Sequence, residues 1–209
     1  MGDGTTNTIR PTRGDIASAL DRFDARTVPL AGRRAAAVVI AVMRGDDGTP
    51  VFPLTMRPTT MRAHAGQFAL PGGRLDDGET AVDAALRELD EELGVTVGPD
   101  GVLGRLDDYV TRSGYVMSPF VVWADAHIGD VVPNPAEVAH VFAVQLGELD
   151  VPTEYVPLPG TGERLACWPF RGDHIHAPTG AVVHQFCEVV LHGRATRVAG
   201  LGEPRFAWR

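Results

Sequence analysis

Three things are scarce in this sequence, and each scarcity closes off a class of function. Cysteine occurs twice in 209 residues, at Cys167 and Cys187. The two lie far apart and lack the Cys-x-x-Cys spacing of zinc and redox sites. They are also too few for a disulfide framework, so both are expected to be small buried hydrophobes in a reducing cytoplasm. Long apolar runs are missing too, since no segment approaches the roughly 20 residues of a membrane span. The stretch from Met1 to Arg13 is polar, which supports neither a signal peptide nor a membrane anchor. Positive charge is the third shortage. Lys and Arg number 19 against 27 Asp and Glu, a formal net charge of -8, whereas nonspecific nucleic-acid binding needs an excess of cations. Neither nucleic acid nor a membrane is an expected partner, and phosphate recognition in such a chain has to be local.

What is present suffices for a core. With 44% hydrophobic residues the chain is expected to form one globular domain over 1–209, with a core at about 33–192, a helix at 14–25 and a tail at 195–209. In the N-terminal helix Ile16, Ala19, Leu20 and Phe23 recur at helical spacing. Two β runs, Ala35 to Met43 and Val51 to Met56, flank a Gly45-Asp46-Asp47-Gly48 turn and predict a hairpin. Further strands are predicted at Val102 to Val110, Pro119 to Ala126 and Val138 to Val144, and a last helix from about Thr179 to His192. Strands mixed with helices imply an α/β or α+β layered fold.

The segment from Gly73 to Val95 is the most informative. Thr80 is a candidate N-cap with Asp83 completing a capping-box-like pattern, and Gly94 stops the helix that Ala81 begins. At about 100° per residue, Val82, Ala85, Leu86, Leu89 and Leu93 form one stripe that must face a core. Glu88, Glu91 and Glu92 fall on an adjoining arc with the small Ala81 and Ala84, which leaves space for a ligand above the helix. Three carboxylates on one arc repel one another, and near a helix C-terminus the macrodipole disfavours them as well. A solvated acidic face is one account of them. A hard divalent cation such as Mg²⁺ or Mn²⁺ is the other, because it suits carboxylate oxygens and accepts phosphate oxygens as further ligands. Arg87 lies four residues before Glu91 and can hold that carboxylate in one orientation.

The same segment reads Gly73, five residues, Glu79, seven residues, then Arg87-Glu88-Leu89-Asp90-Glu91-Glu92-Leu93-Gly94-Val95. It resembles the Nudix box, G-x5-E-x7-R-E-U-x-E-E-x-G-U with U a bulky aliphatic, at every fixed position. The resemblance implies a Nudix fold, a mixed β-sheet sandwiched between α-helices, and metal-assisted hydrolysis of a diphosphate in a small nucleotide-derived substrate. It implies that Glu88, Glu91 and Glu92 bind Mg²⁺ or Mn²⁺ with the Gly73 carbonyl, and that Arg87 and Glu79 orient them. Hydrolysis of a diphosphate must neutralise phosphoryl charge and generate hydroxide near neutral pH, and bound metals do both.

Upstream, Thr49 to Leu75 contains no acidic residue but carries Arg57, Arg62, His64 and Arg74. A basic flank beside an acidic helix divides the labour between substrate phosphates and cations. Leu54-Thr55-Met56-Arg57, Arg62, Gly66 and Leu70-Pro71-Gly72-Gly73 resemble the motif L-L-T-x-R-(S/A)-x3-R-x3-G-x3-F-P-G-G of Nudix coenzyme A diphosphatases. Pro53, Pro58 and Leu70 depart from it. That resemblance implies coenzyme A or an acyl derivative as substrate, with Arg57, Arg62, Arg74 and Gly72 in contact with it. ADP-ribose, a dinucleotide or an oxidised nucleoside triphosphate are the alternative substrates, and a nucleotide-binding module without turnover is the alternative class. The general base is left open between Glu91, Glu137 in Asn134-Pro135-Ala136-Glu137-Val138, and hydroxide without a protein base. Near the C-terminus the subfamily's Trp-Gly-x-Thr-Ala is matched only at Thr179. His174 and His176 alternate like one face of a strand, and core or surface histidine is their expected role. Phe206 and Trp208 in the tail are expected to dock on the domain, on a partner subunit or at the pocket edge. A homodimer is left open.

Overall fold

The computed structural model describes residues 10–60, 65–157 and 164–203. The expected docking of Phe206 and Trp208 therefore lies outside the described residues, as does the placement of Arg62 and His64. The chain runs α1 (Arg13–Asp21), β1 (Arg34–Arg44), β2 (Pro50–Met56), β3 (Phe68–Ala69), β4 (Gly72–Arg74) and α2 (Ala81–Leu93). It continues through β5 (Val102–Arg105), β6 (Tyr109–Val110), β7 (Tyr115–His127), β8 (His140–Gln145), β9 (Glu154–Pro157), β10 (Arg164–Phe170) and β11 (Asp173–His176), and ends with α3 (Thr179–Phe186) and β12 (Leu201–Gly202).

β1 is the central strand because its sequence is apolar on both faces. Its even residues Val38, Ile40 and Val42 pack with Ile16 and Leu20 of α1 and with Val182 and Phe186 of α3. Its odd residues Ala37, Val39, Ala41 and Met43 pack with Ala84, Ala85, Leu89 and Leu93 of α2. The period of two in a strand thus feeds two cores, and helices cover both faces of the sheet. β1 lies parallel to β7 over nearly its whole length, and β2, β3, β5 and β8 extend the sheet on either side. The layered α/β (α+β) architecture with a mixed sheet between helices is as the sequence implies.

A second sheet contains β9, β10, β11 and β12, none of which the hydrophobic pattern predicts. Other boundaries also shift. The N-terminal helix stops at Asp21 rather than 25, although Phe23 still reaches the core. The strand expected over Val102 to Val110 is two short pieces. Asp107 and Asp108 interrupt it by accepting hydrogen bonds from the backbone N–H groups of Arg26 and Val28, drawing the α1–β1 connection onto the sheet edge. The last helix reaches Phe186 and then widens into a π-helical turn, Cys187–Leu191. Ala84 does not leave a space above α2, since it is fully buried in the core beside β1. Both cysteines are free and buried, and burial pushes the Cys187 thiol up to about 12. No described helix is long and apolar enough to cross a membrane.

Candidate active site

The site is built where α2 passes over β4. Thr80 caps α2 by accepting from the Asp83 N–H, and Gly94 ends it in the left-handed region at φ 66°. Between these stops Ala85, Leu89 and Leu93 are wholly buried, each contributing about 1.5–3 kcal/mol for the larger side chains. That stripe fixes the rotation of the helix and turns Glu88 and Glu92 towards β4. The two glycines of β4 are dictated by the closeness of that approach. A Cβ on Gly73 would stand 2.1 Å from Glu88 Oε1, and one on Gly72 would stand 2.3 Å from the Ala37 carbonyl oxygen at a φ of +152°.

Glu88, Glu92 and Glu137 each place a carboxylate oxygen within 4.8 Å of the others'. Glu137 comes from the turn before β8, which is held to α2 by the Asn134 N–H donating to the Glu92 carbonyl. Glu92 is buried, and desolvation pushes its carboxyl up to about 8; the neighbouring acids Glu88 and Glu137 add to the rise, while the Arg57 charge and a Gly72 backbone hydrogen bond oppose it. Desolvation raises Glu88 as well, against the pull of Arg87. Glu91 stands apart from this trio. Its side chain is 54% exposed and pairs with Arg87 at 2.8 Å.

Arg87 is the hub that holds the acids in place. Its guanidinium donates twice to Glu79, at 2.9 and 3.1 Å, and once each to Glu88 at 3.0 Å, Glu91 at 2.8 Å and the Arg74 carbonyl at 3.0 Å. The same pairing holds the Glu79 carboxyl below its ordinary range and raises Arg87 above its own. Bidentate, charge-assisted contacts of this kind fix orientation as well as supply energy. Glu79 also accepts from the Asp76 N–H, which ties the loop before α2 to the same hub.

The carboxylates open into a cavity of about 610 Å³ whose lining includes Arg57, Gly72, Gly73, Arg74, Glu88, Glu92 and Glu137. Arg57 Nε is buried there with no hydrogen-bond partner among the described residues. The rest of the wall includes residues that, apart from His176, carry no sequence signal. These are Tyr115 and Met117 at the start of β7, Ile175 to Pro178 before α3, and Glu203 after β12. Thr179 also lines the cavity and donates to the Phe68 carbonyl. Of the alternating histidines on β11, His176 contacts Cys167 Sγ at 3.1 Å and His174 faces Glu154 at 3.4 Å.

A NUDIX domain model matches residues 32–161, the stretch that holds the hub, the trio and Arg57. The chain belongs to the Nudix family. It is 34% identical to the uncharacterised Nudix hydrolase NudL of Photorhabdus laumondii over 146 residues, 68% of this chain and 78% of that protein. It is 38% identical to the NudL of Yersinia pestis over 117 residues, 56% of this chain and 57% of the relative's length. Among solved structures, the MutT protein of Methanosarcina mazei Go1 is similar at a TM-score of 0.44 and 21% identity, over 61% of this chain and 83% of that one. Nudix hydrolases act on phosphorus anhydrides of small nucleotide-derived molecules, the class that a cavity joining clustered acids to arginines suits.

Proposed function

We propose that this Nudix chain, working as one domain, hydrolyses the diphosphate of coenzyme A or an acyl derivative, giving adenosine 3',5'-bisphosphate and (acyl-)4'-phosphopantetheine. The observation that carries the reading is the placing of Glu88, Glu92 and Glu137 within 4.8 Å of one another in the same cavity as the unpartnered Nε of Arg57. Two acids gathered beside a third whose carboxyl burial pushes up to about 8 fit a divalent cation, because a hard cation offsets both the desolvation and the mutual repulsion. Glu88, Glu92 and Glu137, with the Gly73 carbonyl, would hold Mg²⁺ or Mn²⁺. When bound, the cation neutralises phosphoryl charge and lowers the pKa of water. Arg57, which lines the cavity, binds a phosphate oxygen through its guanidinium, and Arg74 extends the basic side, while Arg62 is assigned to the substrate on the motif alone. Gly72 lets the substrate approach the backbone of β4. Arg87 and Glu79 orient Glu88. The proton of the attacking water goes to Glu91, exposed and held by Arg87, to Glu137 where it does not hold the cation, or to solvent without a protein base.

The coenzyme A choice rests on the resemblance of Leu54 to Gly73 to the diphosphatase motif and on the basic side of the cavity. The test is a product assay with Mg²⁺ or Mn²⁺ over coenzyme A, acetyl-coenzyme A, ADP-ribose, a diadenosine polyphosphate and an oxidised nucleoside triphosphate. Release of adenosine 3',5'-bisphosphate at the highest kcat/KM is expected. A higher kcat/KM on one of the other substrates would replace the assignment, and no turnover of any would favour a binding module.

A further inference from the structure

Beside the cavity, at the start of β1, stands a cationic group that the motifs do not include. Arg34 opens β1 two residues before Ala36 and four before Val38, both of which line the cavity. Side chains alternate along a strand, so Arg34 points to that same face. Its parallel neighbour in register is Tyr115, another lining residue, and the Arg34 guanidinium stacks over the Tyr115 ring at 4.1 Å from the centroid. Ala36 pairs in turn with Arg74 on its other side, which puts the Arg74 side chain on this face too.

Neither Arg34 nor Arg74 pairs with an acid among the described residues. Elsewhere Arg87, Arg105, Arg171, Arg194 and Arg197 are all spent on carboxylates. The chain contains no lysine, so every side-chain cation that is charged at all pH values near neutrality is a planar, fork-shaped guanidinium. The wall beside Tyr115 does include one acid, Glu203. It is buried and accepts from the Arg112 backbone N–H, so it is engaged by the loop between β6 and β7.

We propose that Arg34, held flat on Tyr115, forms with Arg74 a subsite for a phosphate monoester on the nucleoside half of the substrate, separate from the diphosphate that is cut. Tyr115 lies two strands across and three residues along from Gly73 of β4, about 14 Å at ordinary strand spacing and rise. An anion bound there is therefore a different group from the one at Glu88, Glu92 and Glu137. Stacking keeps the guanidinium plane fixed while leaving its edge N–H groups free for phosphate oxygens, and its outer face suits a purine ring. The inference rests on the coenzyme A reading and deepens it. The subsite would read the 3'-phosphate, the feature that separates coenzyme A from most other nucleotide diphosphates.

The experiment compares coenzyme A with 3'-dephospho-coenzyme A in wild type, Arg34→Ala, Tyr115→Phe, Tyr115→Leu and Arg44→Ala, the last an exposed arginine at the other end of β1. Expected is a roughly tenfold loss of the kcat/KM preference for the 3'-phosphorylated substrate in Arg34→Ala, carried by KM, in line with one charge-assisted contact removed. Tyr115→Leu should lose part of the preference, while Tyr115→Phe and Arg44→Ala should keep it. Equal losses on both substrates, or a preference kept in Arg34→Ala, would overturn the subsite. If wild type does not cleave coenzyme A, the functional reading fails by itself. Calorimetry with adenosine 3',5'-bisphosphate and AMP then decides the subsite separately. Tighter binding of the bisphosphate that Arg34→Ala abolishes supports it, and equal binding of the two ligands overturns it.

Discussion

The helices on the two faces of the sheet bury polar groups in opposite ways. On α3, Gln185 is fully buried and fully satisfied. Its Oε1 accepts from the Asp107 N–H at 3.0 Å, and its Nε2 donates to Asp107 Oδ2 and the Thr196 carbonyl, both at 2.9 Å. His184 beside it bonds Thr153 and Tyr155 through its two ring nitrogens, each at 2.8 Å. On α2, Glu92 is buried too, yet its neighbours are acids that raise it further, and a nearby Arg57 charge only partly compensates. Buried polar groups that answer one another rigidify a fold. Acids that burial and repulsion both disfavour point instead to a ligand that makes the arrangement worth keeping.

The largest effect expected from breaking this contrast is on turnover. Glu92→Gln keeps the shape and removes the charge, and should lower kcat by about a hundredfold or more, the scale of losing a group that stabilises transition-state charge. The same variant should be no less stable than wild type without metal. The sign follows from Glu92 itself, whose folded carboxyl lies near 8 against 4.5 for the free group. Protonated Glu92 suits the fold, so its contribution is fully present below 4.5 and is lost as pH rises through about 8. Metal-free wild type should therefore melt progressively lower between pH 5 and 8, Mg²⁺ should reverse the decline at pH 8, and Glu92→Gln should flatten it. A wild-type rate in the variant, or a melting curve that rises over this window, would remove Glu92 from the site.

The opposite change falls on the other face. Asp107 accepts from the Arg26 N–H, Gln185 and Arg197 at 2.8 to 2.9 Å, joining the α1–β1 connection, the sheet edge, α3 and the segment after it. Asp107→Ala strands all three donors and should destabilise by roughly 2–3 kcal/mol, a fall of roughly 5–10 °C in Tm for a chain of this size. Its kcat per folded molecule should stay within about twofold of wild type. A hundredfold loss of kcat with an unaltered Tm would show that the two faces do not divide their work in this way.

The contrast also separates what could be read in the sequence from what could not. The Thr80 cap of α2, its Gly94 stop and the cavity-facing Glu88 and Glu92 are local, set by residues within one or two turns, and they match the structure, whereas Glu91 turns outward to Arg87 and Ala84 turns into the core. Glu137 is half legible, because only the fold brings a turn before β8 to within reach of α2. The small sheet is not legible: Pro157 ends β9 after four residues and Pro169 lies within β10, and proline is a signal against a strand interior. β4 hides for a similar reason, since Gly72 and Gly73 read as loop until the closeness of Ala37 and Glu88 explains them. Tyr115 and Glu203 reach the cavity through strand pairing over long sequence distances, which no periodicity encodes.

The smallest effect tests whether the cap of α2 matters to its chemistry. The Thr80 hydroxyl accepts from the Asp83 N–H and donates to the Asp83 carboxylate, while α3 begins with no side-chain cap at all. α3 is secured by packing instead: a Cβ on Gly180 would stand 2.2 Å from the Ile175 carbonyl oxygen. Thr80→Ala should therefore cost about 1 kcal/mol, read as a fall of about 2–4 °C in Tm. Glu88 and Glu92 lie about 12 and 18 Å further along the helix at 1.5 Å per residue, behind the Arg87 hub and the buried Ala85 and Leu89. Fraying of the first turn should not reach them, and kcat should change by less than about threefold. If Thr80→Ala instead lowers kcat more than tenfold at the same loss of Tm, the cap transmits to the carboxylates through Glu79 and Arg87. The hub would then depend on the first turn of α2 and not on the apolar stripe beneath it.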